Sequence, residues 1–395
     1  MVATILHPGS AAAVGMSLER IGHLGELAGQ WLREGNVQTM VLLVARRGQI
    51  VFHRAFGPLT PDPGASPTPL DAIFPTASVG KVITATAVML LVEEGLVGLN
   101  RPVSGYLPEF QGEGKDAVLV RHLLTHTSGL RGEDVERFVT QSRGELEIPP
   151  ATGSLHPLLN EYFARRYRCP LWKPPGVEMS YLPYGFELLG EIVRRVSAEP
   201  LDRFARDRIF RPLGMDDSSY CPVDVAPQRR VRRAPEPDLP TDATDLAHET
   251  ERLYWGSGGV ETTAHDLAVF GQMFLNRGRY GDARILSPAG VAAMTRNQIP
   301  GIGAEFYGQV FPEASFGYGW SVHGDKTGMC GGLYSARAFE HWGRGGSYFW
   351  VDPDLAIVGV YLSATAWSLD TVVHWFRYNR ADLFQDAVTA AVSEP

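Results

Sequence analysis

The strand-like stretches of this chain lie near its two ends, and the long middle reads as helix. Val41-Leu42-Leu43-Val44 and Ile50-Val51-Phe52 flank Arg46-Arg47-Gly48, a short turn with its glycine. Far downstream, residues 346–352 and 355–363 form two more apolar runs joined at Asp352-Pro353-Asp354. Between them, helical spacing recurs near 118–125, 155–166, 184–197 and 201–210, after a long helix from about Val79 to Glu94 that Gly95 stops. Further helices are expected at 17–34 (Leu18, Ile21, Leu24, Leu27, Leu32), near 264–276 and over about 370–392. This order predicts an α/β fold in which an antiparallel sheet flanked by helices is built from both chain ends, residues 1–80 and 262–395. A mostly helical domain, residues 81–261, is inserted between them.

Bulk properties exclude several functions. The 395 residues suffice for roughly two to three folding units, and 44% hydrophobic content supports a large core. A net charge of −8 argues against a nucleic-acid partner, which selects a basic face. The basic run Arg229-Arg230-Val231-Arg232-Arg233 lies among prolines and is expected to be a solvated loop. No apolar run approaches the roughly 20 residues of a membrane span, and residues 1–16 lack a signal-peptide pattern. Cys169, Cys221 and Cys330 form neither a disulfide framework nor a zinc spacing. These features predict a reduced, cytoplasmic, soluble protein without a membrane partner, and they leave its oligomeric state open.

Only four of the 36 basic residues are lysines: Lys81, Lys115, Lys173 and Lys326. An amine loses its proton when desolvated and a guanidinium does not, so each lysine marks a place where an amine is worth testing for. Lys115 and Lys173 carry no motif and are expected to be surface charge.

The common catalytic signatures are missing. There is no Gly-x-Ser-x-Gly, no P-loop and no His-Glu-x-x-His. His122 and His126 are four apart, but no third ligand is evident, so no metal or other cofactor is expected. What remains is Ser78-Val79-Gly80-Lys81 at the start of the long helix. The i, i+3 spacing puts both side chains on one face. A partly buried ammonium at the positive end of a helix has a lowered pKa, and a neutral Lys81 could then take the proton of Ser78 and make it a nucleophile.

The surrounding segments carry more information than the spacing. Ser78-Val-Gly-Lys81, His122-Leu-Leu-Thr-His-Thr-Ser-Gly-Leu130, Pro175-Gly-Val-Glu-Met-Ser-Tyr181 and Gly185-Phe-Glu-Leu-Leu-Gly190 occur in that order. Gly256-Ser-Gly-Gly-Val260, Thr263-Ala-His-Asp-Leu267 and His341-Trp-Gly343 follow. Over about residues 38–365 the chain resembles the serine β-lactamase-like superfamily of class C β-lactamases and penicillin-binding proteins. It is most similar there to family VIII carboxylesterases. The resemblance implies a covalent acyl-enzyme on Ser78, with Lys81 as proton acceptor and Tyr181 shuttling the proton to the leaving group. It also implies an oxyanion hole from the backbone N–H groups of Ser78 and Arg344.

Two departures from the family pattern bear on the substrate. Pro183 stands where the family's Tyr-x-Asn motif has its Asn, which contacts the amide of β-lactams. The third motif is Lys-Thr-Gly or His-x-Gly on a strand beside the nucleophile. Lys326-Thr327-Gly328 matches it literally, but only His341-Trp342-Gly343 runs into a hairpin. His341 is therefore assigned to the motif, and Lys326 is expected to be an exposed loop residue. A neutral imidazole binds a β-lactam carboxylate less well than a cation, which points to neutral esters of short to medium acyl chain, with weak β-lactam hydrolysis at most. Trp342, Gly343, Tyr184 and Trp350 are the further candidate substrate-binding residues, and the loops at 140–170 and 222–255 are expected to frame the pocket mouth. An acyltransferase, a D-amino-acid amidase or peptidase, or a β-lactamase using the same site are the alternatives.

Overall fold

The computed structural model describes residues 3–35, 37–142, 148–151, 153–221, 224–232, 253–306, 309–326, 331–365 and 380–394. The strands of the main sheet are β1 (His7–Pro8), β2 (Val37–Arg46), β3 (Gln49–Phe56), β4 (Ser321–Val322), β5 (Phe339–Gly343), β6 (Ser347–Asp352) and β7 (Ile357–Thr365). They form one seven-stranded sheet in the order β1-β3-β2-β7-β6-β5-β4. The chain ends thus meet where β2 pairs antiparallel with β7, Leu43 opposite Val360. Only the short β1 runs parallel to its neighbour.

The β2–β3 hairpin closes through Arg47 and Gly48, both at positive φ (51° and 81°), with Arg46 opposite Gln49. That is the two-residue turn whose twist matches paired strands. Asp352 organises the β6–β7 turn instead, its Oδ1 accepting from the backbone N–H groups of Asp354 and Leu355.

Both faces of the sheet are covered, which is why β2 is buried almost throughout rather than alternating. On one face Met40, Leu42, Val44, Tyr348, Trp350 and Tyr361 join Ile21, Leu24, Ala28 and Trp31 of α1 (Leu18–Arg33), together with C-terminal residues Phe384 and Val388. Leu18, part of the expected apolar stripe of α1, is 64% exposed, and Trp31 occupies the buried face instead.

On the other face Val41, Leu43, Phe349, Val358 and Val360 share a core with the helical middle of the chain. The central member is α2 (Gly80–Glu93), where every residue from Gly80 to Leu91 is buried. It packs with α3 (Pro183–Ser197), while α4 (Ala264–Leu275) lies on the sheet so closely that a Cβ at Gly271 would sit 2.7 Å from Val358. A two-residue pairing of Phe74–Pro75 with Glu261–Thr262 ties the chain before α2 to the chain before α4.

The C-terminal helix α5 is described over Ala381–Ala390, and the first part of the expected 370–392 helix lies outside the described residues. The basic run differs in part from expectation. Arg229 pairs with Asp71 and Asp217, Arg230 with the buried Glu261, and Arg232 with Asp62. Arg229 and Arg230 are charge-matched struts rather than solvated side chains, whereas the Arg232–Asp62 pair stays exposed as expected and Arg233 lies outside the described residues. No helix among the described residues is long and apolar enough to cross a membrane.

Candidate active site

Ser78 sits in a 3₁₀ turn, Ala77–Val79, that feeds directly into α2. Ala77 has φ 48°, a left-handed backbone that costs a non-glycine residue about 1–2 kcal/mol. Neighbouring chain holds this corner in place. Thr76 donates from both its N–H (3.0 Å) and its Oγ1 (2.7 Å) to Val260 O. Glycines permit the contact: a Cβ on Gly258 would lie 3.2 Å from Ala77 O, and one on Gly80 would lie 3.1 Å from Gly258 O.

Lys81 follows one turn later and is completely buried. Its Nζ lies 2.8 Å from Ser78 Oγ and donates to Ser257 O at 2.6 Å. The faces of Tyr181 (5.0 Å) and Phe186 (5.8 Å) cover the amine. Burial lowers its pKa to about 7, with the Glu187 carboxylate acting in the opposite sense. Near neutral pH a substantial fraction of Lys81 is therefore the free amine, whose lone pair can accept the Ser78 proton across the 2.8 Å contact.

Tyr181 enters just before α3. Its ring is 4.4 Å from the ring of His126, 6.2 Å from that of His341 and 6.0 Å from that of Trp342. Pro183, the departure from the family pattern, is the first residue of α3, where its missing N–H has no intrahelical partner to lose.

His341 lies on β5 opposite Phe349 and is fully buried. Its Nδ1 is 2.8 Å from Trp342 O. A carbonyl can only accept, so Nδ1 carries the proton and Nε2 presents a lone pair. Burial, then the nearby Lys81 charge, depresses its pKa to about 3, so the ring is neutral. His126, at φ 57°, is the complementary tautomer: its Nδ1 accepts from Leu182 N–H at 3.1 Å, which leaves the proton on Nε2.

Gly343 ends β5 against the nucleophile's own approach. A Cβ there would lie 2.0 Å from Thr76 O, so the strand can seat beside Ser78 only as glycine. Arg344, the next residue, is exposed at the turn.

The structure therefore brings Ser78, Lys81, Tyr181, His341, Trp342 and Gly343 together, with Arg344 at the adjoining turn. It places two other candidates elsewhere. Trp350 projects from β6 to the sheet face opposite His341, a face it shares with Trp342, but there it packs 5.8 Å from Phe384 and covers Gly359, where a Cβ would lie 2.0 Å from its ring. Tyr184 is buried in the helical core, 6.0 Å from Tyr162. Lys326 also departs from expectation. Its Nζ is held by Ala314 O (2.7 Å), Ser315 O (3.1 Å) and Ser321 Oγ (3.0 Å). It pairs electrostatically with the buried Glu340 of β5, so it is a structural ion rather than an exposed loop residue. Lys115 is buried as well, donating to Tyr167 O at 2.7 Å, whereas Lys173 is partly exposed and pairs with Glu178.

Sequence reasoning gave no role to Glu187 or Ser257. Each lay inside a quoted motif, and the one signal for Glu187 was a carboxylate in an otherwise apolar stretch of helix. His122 and His126 do not form a metal pair: His122 Nδ1 accepts from Leu119 N–H, and no His/Cys/Asp/Glu cluster among the described residues could hold a metal ion.

Comparison with known proteins finds relatives along most of the chain. The chain is 30% identical over 363 residues to the protein named Esterase EstB of Burkholderia gladioli, covering 86% of this chain and 88% of that one. A penicillin-binding protein homologue of Caulobacter crescentus superposes with a TM-score of 0.73 at 22% identity, over 95% of this chain and 99% of that one. A structure described as a family VIII carboxylesterase superposes with a TM-score of 0.69 at 22% identity, over 94% and 99%. The Beta-lactamase family model matches residues 20–381, and the chain belongs to that family.

Proposed function

We propose that this protein is a serine carboxylesterase working through an acyl-enzyme on Ser78. The observation that carries the reading is the Ser78 Oγ to Lys81 Nζ distance of 2.8 Å around a completely buried amine. Ser78 Oγ attacks the ester carbonyl carbon while its proton passes to Lys81. The carbonyl oxygen becomes an oxyanion, received by the backbone N–H groups of Ser78 and Arg344, each worth a few kcal/mol in the transition state. As the intermediate collapses, the C–O bond to the alcohol breaks and Tyr181 relays the proton held by Lys81 to the departing alkoxide, leaving the amine free. Water then attacks the acyl-enzyme carbonyl and gives a proton to that amine; the acyl C–O bond to Ser78 breaks, the proton returns to Ser78 Oγ, and the carboxylic acid is released.

The neutral His341 supports an uncharged ester over an anionic substrate. It offers a lone pair where a cation would be needed to hold a carboxylate. Pro183 supplies no amide for a β-lactam side chain. The relative named as an esterase supports the same choice.

The test is a panel of p-nitrophenyl esters of increasing acyl length beside nitrocefin, with wild type and Ser78→Ala. A fluorophosphonate label is then mapped by peptide mass. Ester turnover that disappears in S78A, with the label on Ser78, is the expected result. Full activity in S78A, or a label on another serine, rejects the mechanism. Faster turnover of nitrocefin than of any ester rejects the substrate class.

A further inference from the structure

Glu187 is a carboxylate on α3 with 3% of its surface exposed, and the mechanism above does not use it. Its Oε2 accepts from Gly256 N–H at 2.7 Å and its Oε1 from Ser257 N–H at 3.2 Å. The carbonyl of Ser257 is the oxygen that receives Lys81 Nζ at 2.6 Å. An unbroken chain of contacts thus runs from Glu187 through one loop to the amine and on to Ser78 Oγ.

The loop has little freedom to sit otherwise. A Cβ on Gly256 would lie 2.3 Å from Phe186 O, one residue before Glu187, and Gly256 O accepts from Thr84 Oγ1 of α2 at 2.6 Å. We infer that Glu187 is a positioning residue for the reaction proposed above: it fixes the Ser257 carbonyl that seats Lys81, and its charge governs how readily Lys81 gives up its proton. This inference rests on the acyl-enzyme reading of Ser78 and Lys81.

The direction follows from the charges around the pair. Lys81 is faced by Ser78 before it, by Ser257 O, by Glu187, by the ring of Tyr181 and by His126 and His341. Among the described residues, Glu187 is the acidic partner of this set; burial raises its pKa to about 7 against the N–H groups of Gly256 and Ser257 and the Lys81 charge, so it and Lys81 lose their protons over the same pH range. It is faced in turn by Lys81 and by Tyr162, Tyr220 and Tyr254, whose hydroxyls burial keeps protonated. An anion beside an ammonium favours the ammonium. Removing the charge therefore makes Lys81 a free amine at lower pH. In wild type the acid limb of the rate belongs to the Lys81–Glu187 pair rather than to either group alone.

The experiment is the pH dependence of kcat/KM for a p-nitrophenyl ester, and of the rate of Ser78 labelling by a fluorophosphonate. Both are measured in wild type, Glu187→Gln and Glu187→Asp. In E187Q the acid limb moves to lower pH by about one unit, the shift expected of a neighbouring charge. Below the limb, its rate relative to its own plateau then exceeds that of wild type about tenfold. Its plateau falls, because the amide offers only one acceptor oxygen to two N–H groups. In E187D, where the carboxylate is drawn back by one methylene, the limb moves the same way by less, and this variant carries the test if E187Q does not fold. A lowered plateau with an unmoved limb in both variants overturns the inference and leaves Glu187 a purely structural anchor. Absence of label on Ser78 in wild type instead overturns the acyl-enzyme reading, so the two failures are distinguishable.

Discussion

Replacing Lys81 by methionine is expected to abolish turnover and to make the protein more stable at acidic pH. The amine has an ordinary pKa of 10.5 and about 7 in the folded chain, chiefly because it is buried. Its folded-state pKa is depressed, so the unfolded chain binds more protons between pH 7 and 10.5. Stability carried by this group is therefore at its lowest below pH 7 and recovers as pH rises through that window. The full penalty is about 3.5 units at 1.4 kcal/mol each, or roughly 5 kcal/mol. Methionine, of similar length, removes the penalty but forfeits the contacts to Ser78 Oγ and Ser257 O and leaves the carbonyl unsatisfied. Together these losses amount to about 2–3 kcal/mol, and Glu187, whose pKa burial raises to about 7, is largely protonated at pH 6 and is not left as an unpaired anion there. K81M should then be more stable than wild type by about 2–3 kcal/mol at pH 6. At pH 10, where the penalty has gone, the lost contacts dominate and it should be less stable. Urea unfolding of both proteins at pH 6 and pH 10 measures this, since titrating groups that do not interact with Lys81 cancel in the difference, and Glu187, which does, is largely protonated at the first pH and faces a neutral amine in wild type at the second. Loss of the base should lower kcat at least 10²-fold. A K81M protein less stable than wild type at pH 6, or a difference that does not change with pH, would refute a desolvated, partly neutral lysine.

Two further substitutions test the strand beside the nucleophile. Gly343→Ala should reduce kcat/KM by at least tenfold with a much smaller change in melting temperature. Its Cβ would have to displace Thr76 O from 2.0 Å and so shift the Ser78 corner, and unchanged kinetics would show that β5 does not brace the nucleophile. Lys326→Ala and His341→Ala should separate cleanly. Lys326→Ala removes the contacts of Nζ to Ala314 O, Ser315 O and Ser321 Oγ and should cost about 2–4 kcal/mol of stability, with per-molecule turnover of the folded fraction within a few-fold of wild type. His341→Ala should lower turnover with the smaller stability change. The reverse pattern, read by melting and active-site titration, would return the third motif to Lys326.

The sheet was legible because its strands are long apolar runs with a glycine turn at Arg47-Gly48 and an Asp-Pro turn at Asp352, signals that act over a few residues. The expectation reached only as far as one sheet shared by both chain ends, and the pairing of β2 with β7 comes from the structure. The Ser78, Lys81, Tyr181 and His341 set was legible because each residue sits in its own short motif. Where reading failed, the deciding partner lay far away in the chain. Trp350 looks the same in sequence whether it fills a pocket or lies over Gly359 on the sheet face opposite His341. Tyr184 follows Tyr181 by three residues, yet it is buried in the helical core beside Tyr162. Glu187 acquires its role from Gly256 and Ser257, and Arg229 and Arg230 lose part of their expected solvation to Asp71, Asp217 and Glu261.

The scarcity of lysine has a physical reading once all four are placed. Three of them end inside the protein with Nζ on backbone carbonyls: Lys81 on Ser257 O, Lys115 on Tyr167 O, and Lys326 on Ala314 O and Ser315 O. An ammonium is a compact head with three donors and fits such a cage, whereas a guanidinium is wide and planar. Arginine meets carboxylates side-on at the surface, as Arg229, Arg230 and Arg232 do. Burial lowers the pKa of all three caged lysines. A lowered pKa alone therefore does not mark the catalytic amine in this chain. Lys326 has its neighbouring carboxylate in Glu340, and Lys115 faces the Tyr167 carbonyl and the ring of Phe110. Lys326 also meets a hydroxyl, Ser321 Oγ, together with two carbonyls. Lys81 differs because its hydroxyl, Ser78 Oγ, is held on the strained Ala77 corner with Tyr181 over the amine, so the proton that a neutral amine takes comes from an oxygen placed to react.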